Sequence, residues 1–347
     1  MRKNIFILLC LSILLTGCYD KVETEDRSYV VLMGIDSGKM YETIAEESEV
    51  FGEQQDYVLS VGEAKIQNSI GNDSEAQKTK IVSGNSMSEM KQTVQNYSDK
   101  DIYFGQLKAI LINKEILMNK DMLEKTIYDF ERMWEINTKV LILGVDGTAA
   151  QSVETFMKKE EKGGMYLWDY YRNNNTEAGF SEYMDFEHLI KSLKEESVFI
   201  IPTLKIDDSE MIIDGGIILK GSAFISEIDS DTVMGVKWFE EAAKGVIVSN
   251  GVLSLKVSSE KVKVSVDGDN ITIRIKVKGT LENGNPDNLG DAERDLEYVI
   301  KRILENVIDT ARELNSDFIH ITKDGEISDK NINLDVDVKL VSTGVIK

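Results

Sequence analysis

Apolar residues recur along this chain in two rhythms, one of period two and one of helical period, and their order sets the expected elements. Residues 29–35 (YVVLMGI) form a continuous apolar run stopped by Asp36-Ser37-Gly38, the pattern of a strand buried on both faces. Residues 57–64 alternate as a strand. Residues 86–97 place Met87, Met90, Val94 and Tyr97 at helical spacing behind a Ser86 or Ser88 cap followed by Glu89. A strand over 104–112 follows, then a helix over 121–133 with Asp121 as N-cap and Met122, Ile127 and Phe130 on one side. Residues 139–145 read as a strand, and 149–159, 163–173 and 185–194 as helices. The acidic stretch 39–55 is weakly patterned, a loop or a variable helix.

From about residue 198 the character changes. Residues 199–206, 211–219, 222–226 and 232–236 read as short strands between turn residues, followed by a brief helix over 238–244 that ends at Gly245. Residues 252–257, 261–266 and 271–277 form a meander, with a hairpin signal at Asp267-Gly268-Asp269-Asn270. Residues 289–314 give the longest helix. Its apolar stripe is Leu296, Val299, Ile300, Ile303, Leu304, Val307, Ile308 and Ala311, and Ile303 and Val307, four apart, should face the last sheet. Residues 332–341 alternate as a final strand. The expected fold class is α+β and multi-domain: a mixed strand/helix N-terminal half, and a C-terminal antiparallel sheet packed on one long helix. The division is 29–196 for an N-terminal α/β-type region, open to splitting into two subdomains, and 197–347 for a C-terminal α+β domain.

The start of the chain adds a location. Arg2 and Lys3 precede an apolar run from Ile5 to Leu15, and Leu15-Thr16-Gly17-Cys18 closes it. A run of about eleven residues is short of the roughly 20 that span a bilayer. The layout is that of a lipoprotein signal peptide over 1–17, with Cys18 as the lipidated first residue of the mature chain, carrying S-diacylglycerol and an N-acyl group, and 18–28 as a tether. Each buried methylene of such chains contributes about 0.8 kcal/mol, so two or three chains hold the protein to an outer membrane surface. Loss of residues 1–17 from 347 leaves 330. Cys10 leaves with them, so the mature body has no cysteine for a disulfide, thiol catalysis or a cysteine–metal site.

Charge narrows the partners. The chain carries 40 basic and 61 acidic residues, net −21; without Arg2 and Lys3 the balance is 38 against 61, net −23. That argues against nucleic acid and against broad docking on an anionic lipid surface. Enzyme motifs are missing: no phosphate loop, G-x-G-x-x-G, H-E-x-x-H or G-x-S-x-G occurs. His188 and His320 are the only histidines and neither has a cluster around it. Asp267, Asp269 and Asn270 suit a hairpin better than a calcium loop. Glu240 and Glu241 are adjacent on an expected helix and point apart, unlike a glycosidase pair. No catalytic, cofactor-binding or metal-ligating residue is expected. Tyr166, Trp168, Tyr170 and Tyr171 are too close together to enter one core, so Tyr170 and Tyr171 are the candidate partner surface.

Several segments resemble the Ger(x)C family, the C-subunit lipoproteins of spore germinant receptors. That family carries G-C-W-D at the lipid site, an acidic stretch, then an apolar strand ending in G-I-D; here the residues are Gly17-Cys18-Tyr19-Asp20, Glu23 to Asp26, and Val30 to Asp36. The run from Phe104 to Ile112 resembles its F-x-x-L-K strand, with Gln106 where histidine is common. Gly221-Ser222-Ala223-Phe224, Val233-Met234-Gly235 with Glu240-Glu241 and Gly245, Ile273 to Glu282, and Asp335 to Gly344 resemble its later elements. After the long helix the family has D-I-F-G-F-G-E and a tryptophan segment, whereas here Asp317-Phe318-Ile319-His320 precedes a short stretch. The resemblance implies a three-domain, non-catalytic, membrane-anchored subunit on the outer face of the spore inner membrane, joined to the membrane-spanning A and B receptor subunits. The rival readings are an extracytoplasmic solute-binding lipoprotein, which has two similar α/β lobes, and a cell-wall hydrolase, which needs an acid–base pair not found here.

Overall fold

The computed structural model describes residues 24–64, 79–133, 135–159, 165–174, 183–207, 210–284, 286, 288–322, 325 and 327–342. The signal segment and Cys18 lie outside them. The strands are β1 Arg27–Ser37, β2 Val50–Phe51, β3 Tyr57–Glu63, β4 Thr79–Gly84, β5 Asp101–Tyr103, β6 Ala109–Asn113, β7 Leu141–Asp146, β8 Val198–Asp207, β9 Glu210–Lys220, β10 Ala223–Ile228, β11 Ile247–Ser249, β12 Ser254–Asp267, β13 Asn270–Asn283 and β14 Asn331–Ser342. The helices are α1 Tyr41–Glu47, α2 Met87–Asn96, α3 Lys114–Leu117, α4 Lys120–Glu131, α5 Ala149–Lys159, α6 Met165–Asn174, α7 Phe186–Lys194, α8 Ser230–Phe239 and α9 Leu289–Glu313.

Strands β1 to β10 make one sheet, ordered β10-β9-β8-β7-β6-β1-β3-β4-β2, with β5 beside the start of β1. β1, β6, β7 and β8 run parallel, and antiparallel strands flank them on both sides. Side chains alternate across this sheet as period two requires. Ile110, Ile112 and Ile142 enter a core with Met90, Ile127, Phe130 and Leu189 of α2, α4 and α7. Leu111, Leu141 and Leu143 enter the opposite core with Val153 and Phe156 of α5 and Leu167 of α6. The central strands therefore read as unbroken apolar runs because both faces are covered.

The second sheet is β11-β12-β13-β14, with α9 as the crossover between β13 and β14. β13 and β14 pair in parallel, so the C-terminal sheet expected to be antiparallel is mixed, and the two strands expected over 252–257 and 261–266 are one, β12, antiparallel to β11 and β13. A crossover through a long helix returns the chain in the same direction, which produces the parallel pair. The apolar stripe of α9 is buried at Leu296, Ile300, Leu304, Val307, Ile308 and Ala311. Glu293 and Glu297 reach from the same helix to accept the backbone N–H groups of Leu340 (2.9 Å) and Val338 (3.1 Å) on the edge strand. These bonds satisfy donors that an unpaired edge would present to another chain.

Several local expectations give way to tertiary context. Residues 232–236 are helical, not extended: Asp229 caps α8 by accepting the Thr232 N–H at 2.8 Å, and Val233, Val236 and Trp238 are buried on it. The helix expected over 238–244 is this earlier one. The cap of α4 is Asn119, not Asp121, with Oδ1 accepting from Met122 N at 3.1 Å. Residues 198–228, placed by sequence with the C-terminal half, pair onto β7 and complete the large sheet.

α8 lies between the two sheets. Ile200 and Ile218, on β8 and β9, share a core with α8, α9 and the second sheet. Ile303 and Val307 lie against Gly235 of α8, so this part of the stripe meets a helix where the pattern suggested the last sheet. A Cβ at Gly235 would overlap Val307 Cγ2, so glycine is what permits the close approach. Gly235→Val should therefore destabilise by about 1–3 kcal/mol through overpacking. Urea unfolding of the variant checks this, and a midpoint equal to wild type would remove the close contact.

Candidate functional site

The Gly34-Ile35-Asp36 motif has a structural account. A Cβ at Gly34 would overlap Ser60 Oγ and crowd the Ala149 carbonyl and Val153 at 3.0 Å, so α5 rests directly on this glycine. Two residues on, Asp36 is fully buried and accepts the first N–H groups of α5, from Ala149 at 2.7 Å and Ala150 at 2.9 Å. Burial pushes its carboxyl up to about 7, although both N–H bonds favour the anion. The motif clamps α5 to β1. Sequence alone shows only the acidic stop at the strand end, because its partner lies more than a hundred residues away.

Glu241 and Glu260 are likewise engaged with backbone. Glu241 accepts the Val262 N–H at 2.8 Å, and buried Glu260 accepts that of Ala243 at 2.7 Å. Glu240 is raised by burial, with Lys237 and His320 opposing the shift. Asp267 pairs with Asn270 across a turn whose Gly268 has φ of 61°, which makes the hairpin. Asp317 accepts from Ile321 N at 3.1 Å and from Thr322, and organises the short segment after α9; Phe318 and Ile319 are buried in the second core. The shortened segment thus packs inward. Among the described residues no group of three or more His, Cys, Asp or Glu is placed to hold a metal ion.

The aromatic segment separates into two faces. Leu167 is buried in the core beneath α5, and Trp168 and Tyr171 pack on its margin, with Lys108 Nζ 5.8 Å from the Trp168 ring centroid. Tyr166 is 42% exposed and tilts against Phe156 at 5.8 Å. Tyr170 is half-buried, and its hydroxyl is raised by burial and by Tyr166. From there an edge-to-face chain runs outward: Tyr170 to Tyr171 at 5.4 Å, Tyr171 to Tyr183 at 5.8 Å, Tyr183 to His188 at 6.4 Å. Tyr183 is 43% exposed, and its hydroxyl is raised by burial and by the Asp185 carboxylate. Asp185 fixes the far end. It caps α7, accepting His188 N at 2.8 Å, and it contacts His188 Nδ1 at 2.6 Å and Lys139 Nζ at 3.3 Å. Burial would raise that carboxyl, but His188 and Lys139 together outweigh it and hold it below the usual range. Of the two tyrosines singled out by sequence, Tyr171 is partly core; Tyr183 joins them only in three dimensions.

The described residues thus form an α+β scaffold in which several carboxylates fasten backbone and aromatic rings collect at one surface. Residues 20–206 match the family described as Spore germination protein N-terminal domain, and residues 214–344 the family described as Spore germination B3/GerAC like, C-terminal. The chain belongs to this GerAC-like family of spore germinant receptor C subunits. It is similar to Spore germination protein A3 of Bacillus subtilis (strain 168), 21% identical over 295 residues, covering 82% of this chain and 76% of that protein. It is similar also to Spore germination protein YndF of the same organism, 22% identical over 335 residues, covering 87% and 82%. The crystal structure of the GerBC protein superposes with a TM-score of 0.55 at 16% identity, covering 82% of this chain and 93% of that one, which shows a shared fold. The family is one of receptor subunits, associated with membrane in spores. Among the described residues no helix is long and apolar enough to cross a membrane.

Proposed function

We propose that this chain is the lipid-anchored, non-catalytic subunit of a spore germinant receptor, acting in nutrient-triggered germination through contact with membrane-spanning A and B subunits. The family match over both 20–206 and 214–344 is the observation that carries this reading. The Leu15-Thr16-Gly17-Cys18 sequence supports anchoring through Cys18, because a thiolate at that point is the group that takes a lipid thioether. The half-buried Tyr170 and the exposed Tyr166 and Tyr183 support docking, since interface centres favour aromatic residues over charge.

Mass spectrometry of the mature N-terminus tests the anchor. Cys18 is expected to be residue one and to carry acyl mass, and an intact 1–17 segment or a bare Cys18 would end that part of the proposal. Germination of spores carrying Tyr170→Ala or Tyr171→Ala tests the docking surface. Tyr170→Ala should impair nutrient-triggered germination at normal subunit abundance. Tyr171→Ala should also lower stability, by about 1–3 kcal/mol, because its ring packs on the core. Wild-type germination by both variants at normal abundance would take this surface out of the receptor contact.

A further inference from the structure

The charge of this acidic chain is unevenly placed. On the second sheet, odd-numbered β13 residues and even-numbered β14 residues face α9, so Arg274, Lys276, Lys278 and Lys339 stand on the opposite, solvent face. β12 adds Lys261 and Lys263 to it. The register sets Lys261 opposite Lys276, Lys263 opposite Arg274, and Lys278 beside Lys339. All six are exposed. Asp335 and Asp337 pair with two of these cations, 3.8 Å from Arg274 and 3.7 Å from Lys276, with side chains 63–71% exposed. Exposed pairs of this kind offset little of the repulsion. Like charges directly opposite on neighbouring strands oppose sheet formation. The same face also carries Lys256, opposite Thr280, and the carboxylates Asp267, opposite Asn270, and Glu282 near the end of β13, so seven cations and four carboxylates leave +3 on it and a chain of net −21 carries −24 elsewhere.

We propose that this sheet face docks on the anionic headgroup surface of a lipid bilayer. Three observations select that occupant. The face is an open pleated surface, so its cations can meet a planar partner together. Long lysine and arginine stems let charge reach headgroups while the sheet stays rigid. The acidic remainder is repelled by the same surface, so the opposed charges orient the molecule with this face inward. The average charge, which argues against lipid docking, conceals this separation. The proposal rests on the anchored reading for proximity to a bilayer, but its test is independent of the anchor.

The full lipidated chain is partitioned onto vesicles of phosphatidylcholine alone and onto vesicles with about 30 mol% phosphatidylglycerol, at about 0.05 M and about 0.5 M salt. Binding to neutral vesicles reports the anchor by itself. The face predicts partitioning about tenfold or more stronger on phosphatidylglycerol at low salt, falling toward the neutral value at high salt. The variant combining Lys261→Gln, Lys263→Gln, Arg274→Gln and Lys276→Gln should lose that enhancement while keeping neutral binding, and should melt no lower than wild type because repulsion is relieved. Lys263→Gln with Lys278→Gln should lose part of it. Equal wild-type partitioning on the two compositions, or an enhancement that survives the fourfold variant, overturns the proposal. Salt-sensitive binding of polyglutamate without any phosphatidylglycerol effect would assign the face to an acidic protein instead, and also overturns it.

Discussion

Asp36→Ala is expected to lower stability by about 3 kcal/mol or more, the largest effect of any single polar truncation proposed for this chain. The substitution strands the Ala149 and Ala150 N–H groups at a buried helix start, and each unsatisfied buried donor costs roughly 1–3 kcal/mol. It also frees α5 from β1, where Gly34 lets the two backbones approach. Titration gives a second, sharper readout. The folded carboxyl is raised from 3.8 to about 7 by burial, so the folded state binds this proton more tightly than the unfolded chain. Its protonated contribution is fully present below about pH 3.8 and is lost as pH rises through about 7, a swing of up to about 4 kcal/mol. Asp185 and Asp214 run the other way: both are held below the usual range, and their contributions fade as pH falls through their folded values. Comparing wild type with Asp36→Asn by urea unfolding between about pH 4 and 7 isolates the first group, because only wild type titrates there at this site. The wild-type advantage should shrink as pH rises. Parallel profiles would show that Asp36 does not titrate in this window, and an Asp36→Ala protein as stable as wild type would refute the clamp.

Val307→Asp should cost about 3–5 kcal/mol. Val307 is 1% exposed and packs against Gly235, in a core built from α8, α9 and the faces of both sheets. A carboxylate there loses its water and gains no cation in exchange, so it is driven neutral or the packing opens. Ile303→Asp should cost less, because Ile303 is half-buried and an aspartate can turn toward solvent. Thermal melting of both variants measures the difference. Equal losses would mean that both positions are core, and no loss from Val307→Asp would mean that α8 and α9 do not pack as described.

Local signals carried much of the architecture. Ser86 with Glu89 marks the start of α2, and Ser86 Oγ accepts the Glu89 N–H at 3.3 Å. Asp185 marks α7, and Asp267 to Asn270 mark the β12–β13 hairpin. The stripe of α9 was legible because seven turns of amphipathic spacing leave little ambiguity. All of these depend on residues within a few positions of one another. Sequence also supplied the family resemblance, which the matches over 20–206 and 214–344 bear out.

Tertiary structure decided what depends on distant partners. Period two assigns a strand its faces but not its neighbours, so β8 to β10 joined the large sheet, and β14 joined β13 in parallel, without a local sign of either. Residues 232–236 are β-branched enough to read as strand, yet burial of Val233, Val236 and Trp238 between the two sheets fixes a helix. Tyr183 reaches the aromatic surface only because β7 and α7 return beside α6. The role of Asp36 needed the N-terminus of α5, and the basic face needed the register of three strands, since cations that are scattered in sequence become one surface only when pairing aligns them.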